Sequence, residues 1–152
     1  MRSKNLSVII IIMKEKITIF TDGGARGNPG PAGGGAVIVS DGKVLKEISQ
    51  FLGEKTNNFA EYEAVIVGLQ TLKKLFSTDK LKSFDIEVKL DSQLVAEQLS
   101  GRYRVKEESL FSQFIKVHNM QVKDFPRIKF TYIPREKNKE ADRLANEAMD
   151  TV

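Results

Sequence analysis

Four carboxylates stand at the ends of predicted strands and helices, where the local pattern alone does not require an acid. Asp22 ends the first predicted strand, and Glu61 lies in the first turn of the most apolar predicted helix. Asp91 ends the fourth predicted strand, and Asp142 lies one turn into the last predicted helix. Open α/β sheets build their sites at such ends. Several converging carboxylates would form a cage for Mg²⁺, and two such ions can assist an in-line displacement at a phosphodiester.

Each of these acids also has a local explanation. The spacing Asn58-x-x-Glu61 matches a capping box at a helix start. Asp91, or the serine after it, can cap the next helix, and Asp142 interacts favourably with a helix dipole. Asp22 can simply open a turn. Spacing alone therefore does not establish that the four side chains meet in space.

The composition narrows the chemistry that is available to the chain. Its 152 residues include no cysteine, which excludes disulfides, thiolate metal sites and cysteine nucleophiles. The single histidine, His118, excludes zinc sites built on histidine pairs, and its position near Phe111 and Phe114 indicates a packed or edge residue. The net charge of +4 permits a polyanionic partner without requiring one. The chemistry must come from carboxylates, amides, hydroxyls or bound metal.

The hydrophobic pattern predicts the elements that position these acids, in the order β, β, β, α, β, α, α, β, α. The predicted strands cover residues 16–21, 36–40, 43–52, 84–90 and 128–133, and the predicted helices cover 57–76, 92–100, 106–120 and 138–149. Residues 23–35, with seven glycines, are predicted as a loop. Three hairpin-linked strands followed by strands separated by helices predict a mixed α/β sheet with helical cover.

The first thirteen residues form an extension before the domain. Arg2 and Lys4 precede a short apolar run over residues 6–13, which is similar to a signal peptide but lacks a small-residue cleavage site. The run is also too short for a membrane span. We expect residues 1–13 to be disordered or added to the first strand, residues 14–152 to form a single domain, and the chain to be cytoplasmic and free of the membrane.

Four sequence motifs together resemble the ribonuclease H type 1 family. They are TDGGARGNPGPAG at 21–33, TNNFAE at 56–61, LDSQ at 90–93 and PREKNKEADRLAN at 134–146. The resemblance extends over residues 17–149, with the motifs in the family's order. It implies a ribonuclease H-like fold, in which a five-stranded mixed sheet has its first three strands antiparallel and helices on both faces.

The resemblance also implies an activity and a set of site residues. It implies a monomeric endonuclease that cuts the RNA strand of RNA–DNA hybrids and leaves 5′-phosphate and 3′-hydroxyl ends. Two Mg²⁺ ions, or Mn²⁺ in their place, would be held by the four carboxylates named above. By motif match, the residues that would bind substrate are Gly23, Gly24, Asn28, Thr56, Asn57, Asn58 and Gln93.

The chain departs from the family pattern at two places. The loop before the last helix has no histidine, and we expect Arg135 or Glu136 to replace it in part. The basic, tryptophan-containing protrusion of some bacterial members is also missing. The nearest basic cluster spans residues 102–106 and either contacts phosphates or is a solvated face.

Two other functions remain open at the level of sequence. A broader nuclease of the same fold would also cut double-stranded RNA, because both duplexes have A-like shape and 2′-hydroxyls. A non-catalytic hybrid-binding module is disfavoured, because four retained carboxylates would only repel phosphates.

Overall fold

A computed structural model describes residues 15–151 of the chain. The predictions for residues 1–13 lie outside this range. The strands are β1 (Lys16–Ala25), β2 (Gly30–Ser40), β3 (Lys43–Lys55), β4 (Asp85–Leu90) and β5 (Ile128–Tyr132). The helices are α1 (Asn57–Leu75), α2 (Thr78–Ser83), α3 (Gln93–Leu99), α4 (Phe111–Lys123) and α5 (Lys139–Asp150), with short 3₁₀ turns at Glu108–Leu110 and Arg135–Lys137.

The five strands form one mixed sheet in the order β3-β2-β1-β4-β5. The pairs β1–β2 and β2–β3 are antiparallel, whereas β4 runs parallel to both β1 and β5. This arrangement confirms the predicted mixed sheet with three antiparallel strands first. Because β1 and β4 are parallel, β4 ends beside Thr21, and β1 continues four residues further along the same edge of the sheet.

Helices cover both faces of the sheet, as expected. On one face α1 packs against side chains such as Ile19 and Ile38, which belong to a buried core shared with α3 and α4. On the other face α5 lies against β2 at two glycines, Gly33 and Gly35. An added Cβ at either position would overlap a backbone carbonyl oxygen of α5. These glycines therefore bring the α5 backbone directly onto the sheet.

The predicted glycine loop over residues 23–35 is wrong. Strand β1 continues to Ala25 and β2 begins at Gly30, so only residues 26–29 form the connection. The physical reason is the packing just described, because these glycines give helices room to approach the strands rather than loosen a loop. Paired glycines such as Gly23 and Gly34 are ordinary ladder positions in β1 and β2.

Two further differences concern helices. The predicted helix over 106–120 begins only at Phe111, after the 3₁₀ turn, and the segment before that turn is held to α3 at Arg104. The side chain of Gln98 donates a hydrogen bond to the Arg104 carbonyl oxygen at 3.4 Å. The short helix α2 was not predicted, and Ser77 caps it by accepting a hydrogen bond from the Lys80 N–H. Within residues 15–151, no helix is long and apolar enough to span a membrane.

Candidate active site

Asp22 and Asp91 lie side by side because their strands are parallel neighbours. Thr21 of β1 pairs with Leu90 of β4, and the two aspartates are the residues that follow. The capping explanation for Asp91 does not hold, because Ser92 is the N-cap of α3 and accepts a hydrogen bond from the Val95 N–H at 3.3 Å. The sheet alone thus brings two of the four carboxylates to one edge.

Glu61 reaches this edge because α1 approaches the end of β1 very closely. A Cβ on Gly23 would overlap the Ala60 carbonyl oxygen and lie 2.6 Å from the Glu61 nitrogen. Thr56 is the N-cap of α1 and accepts a hydrogen bond from the Phe59 N–H at 3.2 Å, so the capping-box explanation for Glu61 is wrong. Carboxylate oxygens of Asp22, Glu61 and Asp91 lie within 4.8 Å of one another.

Asp142 completes the cluster from the opposite face of the sheet. It lies in the first turn of α5, and its carboxyl is near enough to Asp22 to help raise the pKa of that residue. Asp142 lines a cavity of about 390 Å³ together with Asp22, Glu61 and Asn57. The structure therefore brings all four carboxylates together, from two strands and two helices.

Burial and neighbouring negative charges raise the pKa values of two of these acids, Asp22 and Glu61. Burial, followed by the charges of Asp91 and Asp142, raises the pKa of Asp22 from 3.8 to about 8. Burial, and then Asp22 and Asp91, likewise holds the pKa of Glu61 well above its usual value. Such clustering of perturbed acids is typical of functional sites.

The cluster has the chemistry of a divalent-cation site. The Oε2 atom of Glu61 is buried and has no hydrogen-bond partner among the described residues. A buried carboxylate oxygen without a partner is costly unless a cation or donor satisfies it. Oxygen ligands in this number suit Mg²⁺ or Mn²⁺, and the site offers no sulfur or imidazole ligand. The residues present therefore fit the metal that the sequence motifs imply.

Asn138 is a member of this site that sequence reasoning missed. Its side chain is buried, and its Nδ2 donates to the Thr21 carbonyl oxygen at 2.8 Å and to Asp91 Oδ2 at 3.3 Å. The sequence pattern predicted Asn138 only as the first residue of the last helix. Its position four residues before Asp142 was the available signal, but that spacing alone does not reveal a contact with β1 or Asp91.

Asn28 and Asn57 are joined by a hydrogen bond at the rim of the cavity. The Asn57 N–H donates to Asn28 Oδ1 at 3.0 Å, and the Ala25 N–H donates to Asn57 Oδ1 at 2.8 Å. Both amide oxygens are therefore engaged within the protein. Their NH₂ groups are left to donate hydrogen bonds to a ligand, and Gly24 lies beside Asn57 in the cavity wall.

Of the other predicted site residues, only some line the carboxylate cavity. Arg135 lines the carboxylate cavity, whereas Glu136 lines a separate apolar cleft of about 300 Å³ beside Phe20. Asn58 is half-buried in the first turn of α1, and Gln93 is exposed at the start of α3.

The single histidine of the chain lies away from the carboxylates. His118 is exposed on α4 and stacks on Phe114, with 6.3 Å between the ring centres. It does not line the carboxylate cavity. This placement matches an edge residue.

Comparison with known proteins decides the family. A family model described as reverse transcriptase-like matches residues 20–148. The chain is 30% identical to a ribonuclease H of Desulforamulus reducens, over 86% of each chain. The chain belongs to the ribonuclease H family. LC11-RNase H1, isolated from compost by a metagenomic approach, is a ribonuclease H with 50% identity and a TM-score of 0.84, covering 90% of this chain and 96% of that one.

Another structure of LC11-RNase H1 is of its complex with an RNA/DNA hybrid. Among curated ribonuclease H relatives, the bifunctional protein Rv2228c of Mycobacterium tuberculosis is 44% identical over 90% of this chain. The match covers 36% of that protein, so the chain spans about a third of the length of the first curated relatives.

Proposed function

We propose that this chain is a metal-dependent endonuclease that hydrolyses the RNA strand of RNA–DNA hybrids and leaves 5′-phosphate and 3′-hydroxyl ends. The observation that carries the proposal is one cluster of acids beside the Asn28–Asn57 rim. Asp22, Glu61 and Asp142 line the same cavity, and Asp91 lies against Asp22 and Glu61. The hybrid bound in a structure of LC11-RNase H1 supports the choice of substrate.

The four carboxylates would hold two Mg²⁺ ions, with Mn²⁺ as a substitute. Asp22 is central, because Asp91, Glu61 and Asp142 all interact with it. Asp22 would therefore help to hold both ions, while Asp91 and Asp142 would each help to hold one. Bound cations would neutralise the scissile phosphate and activate the attacking water. The chain's own part is to hold four acids in one buried cluster and so fix where the phosphate lies.

The rim would select RNA through hydrogen-bond donors. RNA differs from DNA by its 2′-hydroxyl, whose oxygen accepts hydrogen bonds. The NH₂ groups of Asn28 and Asn57 suit this oxygen and the acceptors of the minor groove. The hydroxyl oxygen of Thr56 already accepts the capping hydrogen bond, which leaves its O–H to donate to a DNA phosphate. Asn58, Gln93 and the backbone of Gly24 complete the proposed contact surface.

Arg135 would take over part of the role of the missing loop histidine. It lines the cavity, and a guanidinium group offers only N–H donors and no acceptor. It therefore cannot act as a general base, but it can donate charge-assisted hydrogen bonds to a phosphate. Glu136 faces a different cleft and is assigned no such contact. The proposed enzyme is a monomer, because one chain supplies all four acids, and a cytoplasmic location stays a prediction.

A three-substrate assay tests the proposal. End-labelled RNA–DNA hybrid, double-stranded RNA and double-stranded DNA are each incubated with Mg²⁺ and with chelator. We expect cleavage of the hybrid's RNA strand alone, only with Mg²⁺, and products whose 3′ ends a polymerase extends. Equal cleavage of double-stranded RNA would indicate the broader nuclease, and binding without cleavage would indicate a hybrid-binding module.

Variants in the same assay test the assigned residues. Asp22→Asn is expected to abolish cleavage, while Glu54→Gln, which removes an exposed carboxylate of β3, retains it. Cleavage that survives Asp22→Asn would overturn the metal site. Arg135→Ala is expected to lower kcat about a hundred- to a thousandfold, as for loss of a donor to transition-state charge. Full turnover by Arg135→Ala would remove this residue from the proposal, and Glu136→Ala is expected to keep full turnover.

A further inference from the structure

Asn138 joins three of the segments that carry the carboxylates. Only 1% of its surface is exposed, and its NH₂ group bridges the Thr21 carbonyl oxygen and Asp91 Oδ2. Its own carbonyl oxygen accepts a hydrogen bond from the Asp142 N–H at 3.1 Å. One residue therefore contacts the strand end before Asp22, the Asp91 side chain and the first turn of α5.

The direction of the Asn138 amide is fixed by its neighbours. Asparagine oxygen and nitrogen atoms are assigned from the hydrogen-bond network. Here both neighbours of the bridging atom, a backbone carbonyl and a carboxylate, are acceptors, so only the NH₂ group can lie between them. The Oδ1 atom, on the opposite side, is buried and has no partner among residues 15–151.

Helix capping does not account for an asparagine at this position. Asn138 is the N-cap of α5, but its side chain makes no capping hydrogen bond. The site instead accommodates an unsatisfied buried Oδ1, which is unfavourable. The part of the side chain that the protein uses is therefore the NH₂ group and its two acceptors.

We propose that Asn138 is a positioning residue that sets the orientation of Asp91 for metal binding, an inference that rests on the function proposed above. Its hydrogen bond engages one Asp91 oxygen and leaves the other for a cation beside Asp22 and Glu61. The bond to the Thr21 carbonyl oxygen ties this orientation to the end of β1, which also sets Asp22. Partners that orient metal ligands in this way change metal affinity about 10- to 100-fold when they are removed.

Mg²⁺ binding to the intact chain tests this role without using activity. The probe is Mg²⁺ alone, titrated by calorimetry and by the rise in Tm. Asn138→Ala is expected to weaken Mg²⁺ binding about 10- to 100-fold. The control is Ser49→Ala, which removes a 2.7 Å hydrogen bond from β3 to the Leu144 carbonyl oxygen of α5 but touches no carboxylate. We expect it to lower Tm while leaving Mg²⁺ affinity unchanged.

The outcomes separate this inference from the proposed function. Wild-type Mg²⁺ affinity in folded Asn138→Ala would overturn the positioning role and leave the proposed function intact. No Mg²⁺ binding by the wild-type chain would instead overturn the proposed function. Where Asn138→Ala does not fold, Asn138→Ser is measured, because its single hydroxyl donor can serve only one acceptor. Weakened binding in that variant supports the role, and wild-type affinity overturns it.

Discussion

Asp22 carries a charge that is made unfavourable by burial and by neighbouring carboxylates from the sheet edge and from α5. Burial, then Asp91 and Asp142, raises its pKa from 3.8 to about 8. A carboxyl whose pKa is higher in the folded state than in the unfolded state binds an extra proton when folded, between those two values. The contribution of Asp22 to the free energy of unfolding of the metal-free protein therefore falls as pH rises from about 4 to about 8.

Removing this charge is expected to stabilise the metal-free protein. Asp22→Asn keeps the shape of the side chain but cannot ionise, so at pH 7 in chelator its Tm should exceed that of the wild type. The gain is on the order of a few kcal/mol, because each unit of pKa shift corresponds to about 1.4 kcal/mol. It should be small near pH 4, where Asp22 is fully protonated in the folded state and about half protonated in the unfolded state. Thermal unfolding at both pH values measures it.

Mg²⁺ should reverse the order of the two Tm values, so that the wild type unfolds at a higher temperature than Asp22→Asn. A cation that binds only the folded wild type raises its Tm with concentration, and Asp22→Asn should show little of this rise. Glu54→Gln, an exposed charge removal, is the control and should behave as the wild type in both conditions. A lower Tm for Asp22→Asn at pH 7 in chelator would contradict the repulsion described here.

At the scale of elements, single glycines decide how closely helices meet the sheet. Successive residues of β2 point to opposite faces, so Gly35 faces α5 and Gly34 faces α1. A Cβ on Gly35 would overlap the Ala141 carbonyl oxygen and lie 2.7 Å from the Ala145 nitrogen. A Cβ on Gly34 would find Leu52 at 3.4 Å, an ordinary contact.

Gly35→Ala is therefore expected to displace α5 and with it Asp142. Overpacking of this kind costs about 1–3 kcal/mol, or a fall in Tm of roughly 3–10 °C for a domain of this size. Hybrid cleavage should fall as well, because Asp142 leaves the cluster. Gly34→Ala is the matched control and should change neither Tm nor cleavage strongly. Equal effects of the two substitutions would show that the contact with α5 is not what requires a glycine.

The strand positions of these glycines could not be predicted from the sequence, whereas other features could. Alternation in β4 and the long apolar run of α1 were predictable, because each reflects local periodicity. The four carboxylates were predictable from their places in the sequence motifs. Asp22, however, lies within β1 rather than at its end. The strand character of residues such as Gly33 was not, because glycine is disfavoured in isolated strands and only a helix packed on the sheet explains it. The contact of Asn138 with Thr21 was hidden for a similar reason, since it joins residues 117 positions apart.

At the scale of the whole molecule, the net charge of +4 does not show which cations are free to bind a polyanion. The Arg102 guanidinium forms two hydrogen bonds with the Glu97 carboxylate, at 2.6 and 2.9 Å. Arg104 and Lys106 are exposed and form no ion pair within residues 15–151. They line a groove of about 550 Å³ that follows α3 from Leu94 near its start. Of the predicted basic cluster, two cations are thus free for phosphates.

Salt dependence of hybrid binding tests which of these charges take part. Each phosphate that a cation neutralises adds about 0.9 to the slope of log affinity against log salt for B-form DNA. In an Asp22→Asn background, which keeps the RNA strand intact, the double variant Arg104→Gln/Lys106→Gln should make the slope shallower by about 2. Fluorescence anisotropy of a labelled hybrid at several salt concentrations measures it.

A charge-matched pair serves as the control for this measurement. Glu97→Gln combined with Arg102→Gln removes one charge of each sign, and its slope should equal that of the parent because Arg102 is already neutralised. An unchanged slope in the Arg104→Gln/Lys106→Gln variant would identify this groove as a solvated face. A parent slope near zero would contradict phosphate-driven binding altogether, and recognition would then rest on the amide rim and the metal cluster alone.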